Sequence, residues 1–259
     1  MSETPREIIS VGGLQVAHAV SGDGPAVLAL HGWGGSIDSF WPVAEGLGAR
    51  GFRVYVLDLP GFGQSARPPE PWGVPEYANF VVAYLDAQHL ARVHLLGHSF
   101  GGRISLILGA DDAERVGKIV LANSAGVRPP DNPLRDAVVK AGKSILSLPG
   151  LNRLYEPVRR KTYEQMGATD YLEAGELRET FLKVIEQDLL PYAARVSRPT
   201  LLIWGDRDEA TPLWQAHQLE KAIPDAGLVV FQGAGHFSYL ERLPDYLRVV
   251  THFLTHDGE

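Results

Sequence analysis

The feature that most constrains the fold is a serine between two glycines, in the sequence Gly-His-Ser-Phe-Gly at 97–101. An apolar run at 93–96 precedes it, and an apolar run at 104–108 follows it. This order predicts a strand, a sharp turn and a helix, and the flanking glycines let strand and helix approach closely. A serine on such a turn is lifted clear of the sheet, with the first N–H groups of the helix nearby. We therefore expect Ser99 to be a nucleophile, which requires a base, an acid and an oxyanion site elsewhere.

The chain on both sides of Ser99 alternates apolar runs with helical patterns. A pair of short runs joined by Gly12 and Gly13 predicts a β-hairpin at the N-terminus. Alternation of strands and helices predicts an α/β fold, with a mostly parallel central sheet and helices on both faces. Ligands bind at the carboxyl ends of the strands in such sheets. The runs that predict buried strands lie at 26–30, 53–57, 93–96, 118–122, 200–204 and 228–231, and helical patterns lie at 40–49, 76–88, 212–222 and 243–255.

The alternation is interrupted at 128–197, which contains helical patterns and six prolines but no convincing strand. We interpret this stretch as a helical cap inserted above the strand ends. The predicted domains are then a core of 1–127 and 198–259 and a cap (lid) of 128–197. The alternative is that these helices belong to the core itself.

Composition excludes several classes of function. The chain of 259 residues has 24 Lys and Arg against 31 Asp and Glu, a net charge of −7, and no long basic run. Such a chain is a poor candidate for binding nucleic acid or an anionic membrane. It contains no cysteine, which excludes disulfides, a thiolate nucleophile and cysteine-ligated metal. We find no apolar run of signal-peptide or membrane-spanning length, and expect a cytoplasmic monomer or homodimer with no metal and no cofactor.

His236 is the histidine that best suits the base. It lies in a glycine-rich loop directly after the strand predicted at 228–231. Its neighbour in the motif, His98, is expected to point away from Ser99, and His31 occurs at a strand end upstream of the serine. The remaining six histidines fall in predicted strands, helices or the tail, where a packed or solvated side chain is expected: His18, His89, His94, His217, His252 and His256.

Two aspartates compete for the role of the acid. Asp206 directly follows the strand-ending Gly205 and is expected to brace the turn. Asp208 lies further into the loop and can reach His236, so we predict that Asp208 is the acid. Asp58 also ends a strand, but it lies upstream of Ser99. Thr211 is predicted to cap the following helix.

The order Ser99, Asp208, His236 resembles that of alpha/beta-hydrolase-fold enzymes. The resemblance spans about residues 26–245 and rests on His31-Gly32-Trp33-Gly34, Asp58-x-x-Gly61-x-Gly63-x-Ser65, Gly97-His98-Ser99-Phe100-Gly101-Gly102, Gly205-x-x-Asp208 and Gly235-His236. It implies that the backbone N–H groups of Trp33 and Phe100 form the oxyanion hole. Similar epoxide hydrolases and haloalkane dehalogenases carry an aspartate at the apex. A serine there instead implies attack on a carbonyl and an acyl-enzyme.

Residues near the motif suggest a substrate pocket. We expect Gly32, Ser124 and Phe237 to contact substrate, and Trp33 and Phe100 to line an apolar acyl pocket with Phe237; core packing is the alternative for the aromatic residues. Arg103 is predicted to be a structural charge below the turn. The cap is expected to roof the pocket with Leu146, Leu148, Leu151, Tyr155 and Tyr163.

These expectations favour a serine hydrolase of small-molecule carboxylic esters. The main alternative is a carbon–carbon bond hydrolase of the meta-cleavage-product type. Those enzymes resemble this chain, but they commonly have asparagine where His98 stands and an arginine in the site. Acyl transfer and perhydrolysis are variants of the same acyl-enzyme. A receptor that keeps the triad but turns over very slowly is a further alternative.

Overall fold

A single sheet organises the described part of the chain, which in this computed structural model comprises residues 4–128 and 175–256. Its strands are β1 Glu7–Val11, β2 Leu14–Ser21, β3 Ala26–Leu30, β4 Arg53–Leu57, β5 Val93–His98, β6 Val116–Ala122, β7 Thr200–Gly205 and β8 Ala226–Phe231. They are ordered β1-β2-β4-β3-β5-β6-β7-β8. β2 is antiparallel to β1 and β4, and all other neighbours are parallel. The predicted N-terminal hairpin and the parallel sheet are confirmed.

Helices cover both faces of this sheet. They are α1 Ile37–Gly48, α2 Val74–Ala87, α3 Phe100–Asp111, α4 Arg178–Glu186, α5 Leu190–Ala193, α6 Leu213–Ala222, α7 Ser238–Glu241 and α8 Leu243–Thr255, with 3₁₀ turns at Ala113–Arg115 and Gly175–Leu177. Helices α1 and α8 pack on one face, and α2, α3 and α6 pack on the other. Among the helices described, none is both long and apolar enough to cross a membrane.

The fully apolar runs form strands that are buried on both sides. In β3, Leu28 and Leu30 enter the core beneath α2 and α3, whereas Val27 and Ala29 enter the core beneath α1 and α8. Side chains alternate between the two faces of a strand, so an uninterrupted apolar run supplies two cores at once. Burial of this run therefore fixes β3, and the loop that follows it, at the centre of the sheet.

The prediction for the N-terminus of the helix after Thr211 was wrong. Helix α6 begins at Leu213 with Pro212 as its N-cap residue, so Thr211 does not cap it; its hydroxyl turns to Asp208 instead. Pro75 lies in the first turn of α2. Proline is tolerated there because the first N–H groups of a helix have no partner within it.

The predicted cap lies largely outside the described residues. The helical patterns near 134–148 and 151–166, and the proposed roof residues, all fall between 129 and 174. The described remainder, 175–197, contains the short turn Gly175–Leu177, α4 and α5. The division of the chain into core and cap remains a prediction.

Candidate active site

Ser99 occupies a strained turn between β5 and α3. Its φ of 49° and ψ of −106° lie in a region that non-glycine residues rarely adopt. The strand and the helix approach so closely that a Cβ on Gly97 would lie 2.7 Å from the Gly101 carbonyl oxygen. A Cβ on Gly101 would lie 2.0 Å from the carbonyl oxygen of Leu30 at the end of β3. The Ser99 carbonyl accepts hydrogen bonds from the N–H groups of Gly102 and Ala125, both at 3.1 Å. The surrounding packing thus holds the strain, as at many functional sites.

Asp208 and His236 form a hydrogen-bonded pair next to this turn. The His236 Nδ1–H donates to Asp208 Oδ2 at 2.9 Å, and the Asp208 side chain is completely buried. This bond leaves His236 Nε2 as the nitrogen that can accept a proton. No hydrogen bond joins Ser99 to His236 in the described structure. The His236 ring lies 4.8 Å, between centroids, from that of His98, the residue before Ser99. A hydrogen bond between a nucleophilic side chain and its base is often long before substrate binds.

Five donors surround the Asp208 carboxylate. Its Oδ1 accepts the backbone N–H groups of Ala210 and Thr211, both at 2.9 Å. Its Oδ2 accepts the Thr211 hydroxyl and the Asn123 amide, both at 2.6 Å, besides His236. Burial opposes the charge of Asp208, but hydrogen bonds from His236 and Thr211 outweigh it and lower the pKa of the carboxyl. Asp208 is therefore ionised, and its hydrogen bond fixes the orientation of the His236 imidazole.

The loop that carries His236 is fixed through its backbone. The carboxylate of Asp206 accepts the Gly233 N–H at 2.6 Å, and that of Glu241 accepts the Gly235 N–H at 2.9 Å. The backbone N–H of Arg207 donates to the Ala234 carbonyl at 3.0 Å. Asp206 thus braces the turn rather than contacting the imidazole.

His98 points away from Ser99 and supports the same loop. Its Nε2–H donates to the backbone carbonyl of His236 at 3.0 Å. Burial, reinforced by the nearby His236, lowers the pKa of His98 to about 3. His98 is therefore neutral and serves as a hydrogen-bond donor.

Two backbone N–H groups beside Ser99 are available to a substrate. Neither Trp33 nor Phe100 donates its N–H to any residue in the described ranges. The loop carrying Trp33 is held by His31, whose Nδ1–H donates to the Gly32 carbonyl at 2.7 Å and whose Nε2 accepts the Leu59 N–H at 3.0 Å. That these two N–H groups form an oxyanion hole stays a prediction.

The predicted pocket residues have different surroundings. Gly32 lies against the turn, since a Cβ there would approach His98 Nδ1 to 2.7 Å and the Ser99 Cβ to 3.3 Å. Phe237 is 50% exposed, and its ring centroid is 5.5 Å from that of His236. Ser124 is wholly buried against Gly102, and its hydroxyl donates to the Ala125 carbonyl at 2.8 Å. This placement argues against the predicted contact of Ser124 with substrate.

Aromatic rings form a cluster on the side of the site that carries Trp33. The Trp33 ring meets those of Phe62 and Phe181 edge to face, both at centroid distances of 4.9 Å, and that of Phe100 at 5.5 Å. Phe62, Phe100 and Phe181 are buried, whereas Trp33 is partly exposed. Phe100 therefore packs in the core and supports Trp33, and Trp33 and Phe237 are the rings that retain accessible surface.

Asn123 and Thr211 were missed as partners of the acid. Asn123 directly follows β6, and a polar residue at the carboxyl end of a parallel strand was the available signal. Thr211 was assigned to a helix cap. Within the described residues, no cluster of His, Asp or Glu side chains is arranged to hold a metal ion.

The fold and this arrangement of strand-end loops define an alpha/beta hydrolase. A family profile described as "alpha/beta hydrolase fold" matches residues 25–161 and 158–243. The chain therefore belongs to the alpha/beta hydrolase family.

Known relatives span several activities. The chain is 28% identical over 255 residues to the 2-hydroxy-6-oxo-6-phenylhexa-2,4-dienoate hydrolase of Comamonas testosteroni, covering 90% of this chain and 89% of that one. It is 31% identical over 232 residues to the dihydrolipoyllysine-residue acetyltransferase component of the acetoin cleaving system of Pseudomonas putida, covering 86% of this chain but 61% of the relative. The crystal structure of a bacterial membrane phospholipase A matches with a TM-score of 0.76 and 25% identity, covering 96% and 85% of the two chains.

Proposed function

We propose that this protein hydrolyses carboxylic esters through an acyl-enzyme on Ser99. The observation that carries the proposal is the buried Asp208–His236 hydrogen bond of 2.9 Å beside the strained Ser99 turn. A hydroxyl becomes a useful nucleophile when a neutral imidazole removes its proton, and a buried carboxylate holds that imidazole in the required tautomer.

The reaction follows from the positions of these groups. His236 Nε2 takes the Ser99 proton as Oγ attacks the ester carbonyl, and the N–H groups of Trp33 and Phe100 bind the oxyanion. The tetrahedral intermediate then breaks its C–O bond, and His236 returns the proton to the departing alcohol. Water then attacks the acyl-enzyme and gives a proton to His236. His236 passes that proton to Ser99 Oγ as the acyl C–O bond breaks, which releases the carboxylic acid and restores the enzyme. Each oxyanion donor is worth about 3–4 kcal/mol at such a site.

Surface near the triad favours an apolar substrate group. Phe237 is half exposed beside His236, and Trp33 is partly exposed beside its own N–H. Burial of an apolar acyl or alcohol group against these rings would contribute about 25 cal/mol for each Å² removed from water. We therefore infer esters with small to medium apolar groups as the substrate class.

Carbon–carbon bond hydrolysis is the second candidate, because the 28% identical relative from Comamonas testosteroni acts on a dienoate. Two features argue against it. His98 stands where those enzymes commonly have asparagine. The guanidinium of Arg103 donates to the Val184 and Gln187 carbonyls, so this buried arginine is occupied away from Ser99.

Ser99→Ala tests the proposal. We expect hydrolysis of p-nitrophenyl acetate and butyrate to fall by about 10⁴-fold or more, with an unchanged circular dichroism spectrum. Ser10→Ala, at an exposed position on β1, is the matched control and should retain full activity. Full activity in pure Ser99→Ala would contradict the assignment.

A substrate panel separates the candidates. Esters of increasing acyl length are run beside a 2-hydroxy-6-oxo-dienoate, and the products are identified by mass spectrometry. Faster turnover of the dienoate than of every ester would favour carbon–carbon hydrolysis. If a fluorophosphonate labels Ser99 but every substrate is turned over only once, the receptor alternative is favoured. If product forms only when an alcohol or thiol is added as acyl acceptor, acyl transfer is favoured.

The activity should also depend on pH. Protonated His236 cannot accept the serine proton, so we expect kcat/KM to fall at acidic pH. A flat profile from pH 8 to about 5 would count against His236 as the base.

A further inference from the structure

We propose that Asn123 is the positioning residue of the acid–base pair. Its side-chain amide holds the Asp208 carboxylate against His236 and joins the loops that follow β6, β7 and β8. This inference rests on the proposed function, because it assigns to Asp208 and His236 the roles described above.

The backbone of Asn123 is the first observation. Asn123 has a φ of 46°, and the described residues include only two other non-glycine positions with positive φ, His89 and Ser99. Asn123 is fully buried, and its N–H donates to the Ile203 carbonyl at 2.9 Å. Asparagine tolerates this conformation better than most residues, but it still costs free energy. The strained backbone delivers the side chain between the two neighbouring loops.

The side chain of Asn123 is fully hydrogen-bonded in one orientation. Its Nδ2 donates to Asp208 Oδ2 at 2.6 Å and to the Gly235 carbonyl at 3.3 Å, and its Oδ1 accepts the Ser238 hydroxyl. A carboxylate and a carbonyl can only accept, so both must face the NH₂ end of the amide. Ser238 then has to donate to the oxygen. Because Asn123 itself follows β6 and its partners Asp208 and Gly235 follow β7 and β8, one side chain joins the three loops.

The oxygen that Asn123 holds is the one that His236 uses. Asp208 Oδ2 accepts both the Asn123 amide and the His236 Nδ1–H. Gly235, the second acceptor of the amide, directly precedes His236 in the chain. Asn123 therefore constrains both partners of the acid–base hydrogen bond, one through its carboxylate and the other through its backbone. Loss of the amide should misalign the imidazole, and misplacement of a catalytic group by about 1 Å can cost ~10²-fold in rate.

Asn123→Gly is the informative variant, because glycine accepts positive φ while losing the amide. We expect kcat to fall by about 10- to 100-fold, with KM changed by less than about 2-fold, since the buried Asn123 cannot touch substrate. His89→Gly is the matched control. His89 has a φ of 53°, is exposed and lies at the end of α2, so this variant should keep wild-type kcat.

A second variant and a double-mutant cycle separate positioning from stability. Ser238→Ala removes the hydroxyl that orients the amide and should lower kcat by a smaller factor than Asn123→Gly. In an Asp208→Asn background, Asn123→Gly should cost little further activity, because the acid that it orients is already lost. A purely structural role predicts the same loss of kcat in the wild-type and Asp208→Asn backgrounds, and that result would overturn the inference. Wild-type kcat in folded Asn123→Gly would also overturn it. If Asn123→Gly does not fold, wild-type kcat in Ser238→Ala would overturn it instead.

Nuclear magnetic resonance of ¹⁵N-histidine-labelled protein tests the inference without turnover. The His236 Nδ1–H, bound to a carboxylate, should give a low-field proton signal that moves upfield or broadens in Asn123→Gly, or in Ser238→Ala, but not in His89→Gly. An unchanged signal would overturn the inference. If wild type shows no Ser99-dependent hydrolysis, the proposed function fails, while this signal still decides whether Asn123 positions the pair.

Discussion

Asp206 and Asp208 are two residues apart on one loop, yet they differ in burial and in hydrogen-bond partners. Asp206 is exposed and accepts a backbone N–H from Gly233. Asp208 is buried, accepts donors on both oxygens and contacts His236. Hydrogen bonds to both oxygens of a buried carboxylate stabilise its charge against burial and fix its orientation. At the scale of single residues, burial and hydrogen bonding therefore distinguish Asp208 from Asp206.

Substituting each aspartate by asparagine tests this difference. Asp208→Asn presents an amide to His236 and favours the wrong imidazole tautomer, so we expect kcat to fall by about 10⁴-fold. Asp206→Asn keeps an acceptor for the Gly233 N–H and should change kcat by less than about 10-fold. Ester hydrolysis by the two purified variants gives the comparison, and a larger loss in Asp206→Asn would reverse the assignment.

At the scale of elements, one buried cation connects the helix after Ser99 to helix α4. Arg103 lies in the first turns of α3, and its guanidinium donates to the Val184 carbonyl at 2.9 Å and to the Gln187 carbonyl at 3.0 Å. Carbonyls at the end of a helix lack intrahelical partners and carry partial negative charge. Burial lowers the pKa of Arg103 to about 10, which still leaves it charged at neutral pH. The predicted role of Arg103 as a structural charge thus has a structural basis.

Arg103→Met should loosen α4 because the two carbonyls lose their donor. We expect the free energy of unfolding to fall by about 1–3 kcal/mol, the cost of unsatisfied buried polar groups. Hydrogen exchange should accelerate in α4 more than in β5 and β6. Arg195→Met is the matched control, since its ion pair with Asp111 is largely exposed and contributes little. Equal stability and exchange in the two variants would contradict this role.

At the scale of the whole molecule, several buried histidines couple stability to pH. Burial lowers the pKa of His18, of His31 and of His98, the last to about 3. The unfolded chain therefore binds these protons more readily than the folded one. Stability is complete above about pH 6.5, the unfolded value, and is lost as pH falls towards the folded values. The lowered pKa of Asp208 adds a loss only below about pH 4.

Urea unfolding between pH 7 and pH 5 measures this coupling. His98 alone should account for a decrease of about 2 kcal/mol in the free energy of unfolding. In His98→Asn the decrease should be smaller by about that amount, whereas His217→Asn, at an exposed position, should keep the wild-type dependence. The same pH dependence in all three proteins would show that His98 is not held neutral by the fold.

The sequence by itself determined the sheet, and it predicted the class of site. Apolar runs without interruption specify strands buried on both faces, and the alternation with helices makes most of them parallel. The carboxyl ends of parallel strands meet at one edge of the sheet, so Ser99, Asp208 and His236 could be predicted to lie on loops at that edge. These features depend on local pattern and chain order, which a sequence displays directly.

Only the tertiary structure decided which side chains meet in those loops. Asn123 lies 85 residues from Asp208 and 115 from Ser238, and the adjacency of β6, β7 and β8 brings them into contact. From its local sequence, Thr211 was predicted to cap a helix, but its hydroxyl donates to the Asp208 carboxylate instead. Ser124 also lies just after a strand end, yet it is buried because Gly102 packs closely against its side chain. Burial and hydrogen-bond partners depend on packing between distant segments, and local pattern does not encode that packing.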